Sequence, residues 1–270
     1  MSLSYSRVIP ATSKLLLASL LGASAWFWAG SASAQTYISR PLTLPAGTIR
    51  LDLAPPDYGY MDHGAINTGR GFRVADGPGD NFVGIGAGMG FGITSHFEMG
   101  GLILPLQLSP DGDVGDLEAY ARFRFSPVVA FQASVQIPTQ TEAGLSLGVP
   151  LFIPLSGRSR METGIEVEFI FYDDTIANLD VPMAFQFAVG DRFFIGPRTG
   201  LLLADFDVAF INLGLQGGAT VARNVDLTAG FNFPYLIQIG GGGGPDPDDD
   251  DDFRVSADGW EFVAGVNIFF

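Results

Sequence analysis

From Leu117 to Phe125 apolar and polar residues alternate one for one. Leu117, Ala119, Ala121, Phe123 and Phe125 take one face of an extended chain, and Glu118, Tyr120, Arg122 and Arg124 take the other. The same period of two returns in Val129, Phe131, Ala133, Val135 and Ile137 against Gln132, Ser134 and Gln136, and in Ile165, Val167, Phe169 and Phe171 against Glu166 and Glu168. Side chains alternate across a strand, so this pattern predicts strands with one apolar and one polar face. A soluble sandwich would alternate too, and it is the punctuation that separates the two folds. Short polar breaks at Thr94-Ser95, Ser126-Pro127, Gly157-Arg158, Gly190-Asp191 and Arg223-Asn224 recur every 31 to 33 residues. Such an interval holds two strands of about ten residues and one longer connection, the beat of a barrel with tight turns on one side and long loops on the other.

Strands are expected at 47–54, 81–93, 96–107, 116–125, 128–138, 144–155, 160–171, 178–188, 192–203, 207–220, 225–236 and 254–270, twelve in all. The fold class is therefore all-β, an antiparallel up-and-down transmembrane barrel. An even strand number puts both termini on one side, which in bacterial barrels is the periplasm. The connections 55–80, 108–115, 139–143, 172–177, 204–206 and 237–253 then face outside. Arginines near the short turns (Arg122, Arg124, Arg158, Arg160, Arg192, Arg223) and aspartates in the long connections (Asp111, Asp113, Asp173, Asp174) fit that orientation.

The first residues read differently. Arg7 and Lys14 precede an apolar stretch from Leu15 to Gly30, and Ala32-Ser33-Ala34 then satisfies the small-x-small cleavage rule, so 1–34 is read as a secretory signal peptide. The apolar stretch is shorter than the ~20 residues of a spanning helix. Residues 35–270 form one domain, and no later run is long and apolar enough for a helical membrane protein; Phe193 to Leu203 is broken by Gly196, Pro197 and Arg198. A closed barrel is the spanning structure left, because lipid offers the backbone no hydrogen-bond partners.

With no cysteine, the chain is expected to be neither a lipidated lipoprotein nor a disulfide-stapled secreted domain. Beyond residue 34 it carries no lysine and 12 arginines against 29 acids. That balance repels phosphates, argues against nucleic acid as a partner and favours divalent cations.

At the C-terminus Phe262, Ala264, Val266, Ile268 and Phe270 form one apolar face. This ending resembles the sorting signal of bacterial outer-membrane β-barrel proteins, a final amphipathic strand closed by a terminal phenylalanine, with Ile268 where that pattern often has an aromatic. The resemblance covers the whole chain after the signal peptide at the level of the class and reaches no subfamily. It implies the bacterial outer membrane as location, and the lipid bilayer, lipopolysaccharide and the barrel-assembly machinery as partners. Arg40-Pro41-Leu42-Thr43-Leu44-Pro45 is similar to the start of uncharacterised barrels of this kind and implies no activity. The autotransporter alternative finds no passenger ahead of the first strand.

Alternation assigns Arg50, Asp52, Glu118, Arg122, Arg124, Gln132, Gln136, Glu166, Glu168, Gln186, Arg198, Asn212, Gln216, Asp226, Asn232 and Asn267 to the lumen. A lining of this kind suits a passive pore for small hydrophilic solutes, with selectivity set by rings of one charge. It equally suits side chains that pair across the barrel and close it, which would make a non-conducting structural or surface-interaction barrel. One strand differs. Gly84, Gly86, Gly88, Gly90 and Gly92 leave its inward face bare while Val83, Ile85, Ala87, Met89, Phe91 and Ile93 face lipid. Either a substrate or an inward-folded segment passes there, or the glycines permit strong sheet curvature.

Catalytic chemistry is thinly supplied. His63 lies beside Asp62 with Tyr58, Tyr60, Arg70 and Arg73 near in sequence, and His96 lies beside the Thr94-Ser95 turn. An acid–histidine pair for hydrolysis is conceivable, but no nucleophile or oxyanion hole accompanies it. An outer-membrane hydrolase is thus the lesser alternative, and no catalytic residue or cofactor is expected. The Gly/Asp-rich loop 240–252 carries Asp246, Asp248, Asp249, Asp250, Asp251 and Asp252. Its oxygens suit weak Ca²⁺ or Mg²⁺ binding, without the ligand spacing of an EF-hand; the plain alternative is a solvated charge run. A hydrophobic-solute transporter would need a plug, and 35–45 is too short for a folded plug domain.

Overall fold

The alternating segments become strands, and the turns between them close the sheet on itself. The computed structural model describes residues 37–54, 71–76, 82–109, 113–114, 117–138, 143–171, 175–240, 253–255 and 260–270. The strands are β1 (Ile49–Ala54), β2 (Gly71–Asp76), β3 (Phe82–Thr94), β4 (Phe97–Ser109), β5 (Asp113–Val114), β6 (Leu117–Ser126), β7 (Val129–Ile137), β8 (Ala143–Ser156), β9 (Ser159–Phe171), β10 (Thr175–Val189), β11 (Phe193–Ala204), β12 (Val208–Ala222), β13 (Val225–Gly240), β14 (Phe253–Val255) and β15 (Trp260–Phe269). Each long strand pairs antiparallel with its sequence neighbour. The ring closes because β15 pairs with both β13 and β1, and β1 pairs with β3. The result is the expected twelve-stranded antiparallel barrel, with β5 and β14 as short additions beside β4 and β13, and β2 as an extra strand in the wall.

That extra strand corrects the expected first connection. Residues 55–80 were read as one loop, yet β2 lies in the wall between β15 and β3 and continues the line of β1. Ala54 faces Gly86 on β3, and Phe72 faces Ile85, the next position along. One stave is thus built from two stretches of chain. The expected last strand also divides: β14 pairs with Ile237–Ile239 of β13 and β15 begins at Trp260. Within 108–115, β5 pairs back onto β4. The tight turns at 95–96, 127–128, 157–158, 190–192 and 223–224 gather at one end, here the turn end. The opposite end is the loop end.

Burial is inverted relative to a water-soluble protein. Phe125 (66% exposed), Ile165 (56%), Phe193, Leu213 and Leu215 stand on the outer surface, while Glu98, Glu162, Gln186 and Asp226 inside are wholly inaccessible. An apolar outer surface of this extent is untenable in water, and a closed barrel has no unpaired edge to expose to lipid. Among the described residues no helix is long and apolar enough to cross a membrane. Apart from the short β1, the staves run from nine residues in β7 to sixteen in β13, enough for the ~25 Å apolar band of an outer-membrane barrel. The signal-peptide reading of 1–34, the Asp246–Asp252 run and His63 lie outside the described residues.

Candidate functional site

The polar faces of the strands turn inward. Arg122, Gln132, Glu166, Gln186, Asn212, Gln216 and Asn232 are buried there, and Glu118, Arg124, Gln136, Glu168 and Arg198 are half-buried. Register sets Glu118 opposite Gln136, Glu166 opposite Asp180 and Glu168 opposite Asn178. Asn178 Nδ2 donates to Glu168 Oε2 at 3.2 Å. On the last strand Phe262, Val266, Ile268 and Phe270 share the outward face, since Val263, Gly265 and Asn267 are buried between them. Phe270 also closes the ring, exchanging backbone bonds of 2.8 and 3.1 Å with Ile49.

The segment ahead of β1, expected to be too short for a folded plug domain, is a strap that opens with a single 3-10 turn at Tyr37–Ser39. Residues 37–48 cross the lumen at the turn end from one wall to the other. Tyr37 stacks on Phe194 of β11, with ring centroids 4.3 Å apart, and its N–H donates to Thr220 Oγ1 of β12 at 3.1 Å. Arg160 Nη1 donates to the carbonyls of Ile38 (2.9 Å) and Arg40 (3.0 Å). Arg40 reaches β13 and β15, with Nε donating to Asp226 Oδ2 at 2.5 Å and its guanidinium 3.9 Å from the Phe269 ring centroid. Arg122 Nη1 donates to the Leu42 carbonyl at 3.0 Å. At the far side Thr43 Oγ1 donates to the Ser95 carbonyl and the Leu44 N–H to Glu98 Oε2. In the ring of twelve staves β11, where Tyr37 stacks, stands six staves from β4, where Leu44 meets Glu98, so the strap spans the diameter.

Its grip is both apolar and charged. Leu42 is buried with Ala130, Phe152 and Ala184, worth about 1.5–3 kcal/mol for a side chain of that size. The charges around it are paired inside the wall. Arg122 meets Glu98 at 3.3 Å, Arg160 pairs with Glu162, and Arg50 meets Asp52 at 2.8 Å. Tyr120 links two of these pairs, accepting from Arg50 Nη2 at 3.1 Å and donating to Glu98 Oε1 at 3.2 Å. Pairing is what makes burial of so many ions tolerable.

The bare face of β3 now has an occupant. A Cβ on Gly90 would lie 3.2 Å from Leu44 Cδ1 and 3.3 Å from Arg50 Nη2, and one on Gly92 would strike the carbonyls of Leu44 and Pro45. At these two positions the inward-folded segment is the strap. The glycine row was the one sequence signal that could have found it; Tyr37 to Leu44 has no periodicity of its own. Away from the strap the lumen turns acidic: Glu118, Glu166, Glu168, Asp180 and Glu261 point inward toward the loop end. His96 is exposed at its turn, 2.9 Å from Ser95 Oγ.

A closed twelve-stranded barrel with an apolar outside, a polar inside and a C-terminal strand sealed by Phe270 defines a bacterial outer-membrane β-barrel. No protein-family model and no curated protein matches the chain. Among solved structures, an outer-membrane channel from Pseudomonas putida F1 is similar at a TM-score of 0.54 and 9% identity, covering 86% of this chain and 98% of that one. The NanC porin gives 0.48 at 7% identity, covering 73% of this chain and 98% of that one. The beta domain of the Bordetella autotransporter Brka gives 0.48 at 14%, covering 84% and 100%. At the identity of the Pseudomonas channel the likeness is one of fold.

Proposed function

We propose that this barrel is a passive channel for small hydrophilic solutes, that it favours cations, and that it works without catalysis or a cofactor. The observation that carries this reading is the cross-strand row of acids on the inward face. Glu166 stands opposite Asp180, and Glu168 follows two residues on. Carboxylates facing a narrow, low-dielectric lumen attract cations and repel anions. Arg198 also lies on the inward face, whereas Arg122 and Arg160, beside the strap, are matched by Glu98 and Glu162. The turn end is taken to face the periplasm, with lipopolysaccharide and the assembly machinery as partners of the outer surface and of the last strand.

A non-conducting structural barrel is the rival, favoured by the burial of Glu98, Glu162 and Gln186 around the strap. One recording separates them. Protein comprising residues 35–270, refolded and placed in a planar bilayer under a potassium chloride gradient, should give steps with a cation-selective reversal potential. E166Q/E168Q should move that potential toward zero. A fully folded but silent barrel would favour the structural role.

A further inference from the structure

The strap is attached at its two ends by different means. At the β1 end it joins the sheet: the Gly47 N–H donates to the Gly92 carbonyl at 2.7 Å, the Gly92 N–H donates to the Thr48 carbonyl at 2.9 Å, and the chain runs straight into β1. From Tyr37 to Leu44 the wall grips it through side chains. Among the described residues the one backbone–backbone bond of that stretch, Arg40 N–H to the Tyr37 carbonyl, is internal. It adds no strand to the ladder, and lifting it away breaks none.

The wall groups that hold the strap also keep partners of their own. Arg122 retains Glu98 and donates from Nε to Gln132 Oε1 at 2.8 Å. Arg160 retains Glu162 and donates to Gln186 Oε1 at 3.2 Å. Glu98 retains the Tyr120 hydroxyl, and Asp226 retains Thr220 Oγ1 at 2.8 Å. A buried ion is costly to uncover chiefly when its partner leaves it alone. Here the strap can depart while Arg122, Arg160 and Glu98 keep their charged partners; Asp226 gives up Arg40 and keeps the Thr220 hydroxyl, and Arg40 itself passes into water. Between the two regions Gly47 supplies a joint. It is exposed, has φ +76°, and a Cβ there would meet nothing within 4 Å.

We propose that residues 37–44 are a gate, swinging about Pro45–Gly47, and that the lumen conducts only while this segment is displaced. The proposal rests on the reading of the barrel as a channel. Conduction is then a two-state equilibrium between a seated and a released strap, and any change that favours one state shifts the open fraction.

The chain's lack of cysteine makes the test clean. The 3.1 Å bond between the Tyr37 N–H and Thr220 Oγ1 sets these residues side by side, the proximity that a disulfide requires. In Y37C/T220C, oxidation should abolish potassium chloride current across a planar bilayer, and dithiothreitol should restore it. L42D, which places a charge in the apolar seat, should raise the open time several-fold. Oxidised Y37C/T220C carrying the current of its reduced form, or L42D indistinguishable from wild type, would overturn the gate and leave the channel standing. Silence in wild type, reduced double variant and L42D alike, all folded, would remove the channel and the gate together.

Discussion

Gly92 lies directly beneath Pro45, and a side chain at Gly92 would occupy the space of the strap's backbone: its Cβ would sit 2.8 Å from the Leu44 carbonyl oxygen and closer still to that of Pro45. The same glycine exchanges backbone bonds with Gly47 and Thr48. It is therefore both the seat of the strap and the reason the strap can come so near the wall.

Gly92→Val should displace the strap while leaving the barrel intact, because β-branched residues suit strands and the outward neighbours Phe91 and Ile93 are untouched. Chymotrypsin cleavage after Tyr37, which is buried, should be faster in the variant, with unchanged heat-modifiable mobility on a gel. Equal cleavage rates would mean that Gly92 does not hold the strap.

Arg160→Met strands Glu162, which has no exposure at all. The expected loss is about 3–5 kcal/mol, the usual penalty for breaking one side of a buried ion pair. Arg160→Met/Glu162→Gln should recover most of it. Urea titration of reversible folding into phosphatidylcholine vesicles measures both.

Ile165 stands in the middle of β9 with its side chain toward lipid. Ile165→Arg should cost about 2–4 kcal/mol in the same folding titration, as a charge near the bilayer midplane does. A loss well below that would place Ile165 outside the apolar band.

Orientation can be read from the loop end. Phe206 is 59% exposed in the tight turn 205–207, where it and Asp205 both take positive φ. Phe206→Cys should react with a membrane-impermeant maleimide on intact cells, and Gly157→Cys at the turn end should not. The reverse pattern would invert the topology.

Phe270 bonds to Ile49 through its backbone and shows its ring to the outside. Phe270→Asp should lower the amount of folded barrel in the outer membrane, judged by membrane fractionation. Wild-type levels would count against the last strand as a sorting signal.

The barrel was legible because its information is local. Alternation in β6, β7 and β9 follows from one face meeting lipid and the other not, and burial alternates along these strands with the same period of two. The strap was not legible, because its meaning lies in distant partners: Tyr37 with Thr220, Arg40 with Asp226, Leu44 with Glu98. No pattern within Tyr37–Leu44 encodes those contacts, and the glycine row of β3 marks only that something is near. β2 was missed for a related reason. Six residues in the wall do not reveal, without their partners Phe82–Ile85 and Gly265–Trp260, that they belong to the stave begun by β1.

The split stave has a consequence for how this chain can vary. The last strand meets two partners in succession: Val266–Phe269 pair with β1, and Trp260–Gly265 with β2. Because Ala54 and Phe72 take consecutive stations on β3, the ladder passes from β1 to β2 without needing a rung from the sequence between them. Residues can be gained or lost there without shifting a register, whereas a single deletion inside any other stave would turn its lipid face inward. Between Ala54 and Gly71 the wall offers a splice point, where a foreign peptide could be carried by a barrel that closes as before.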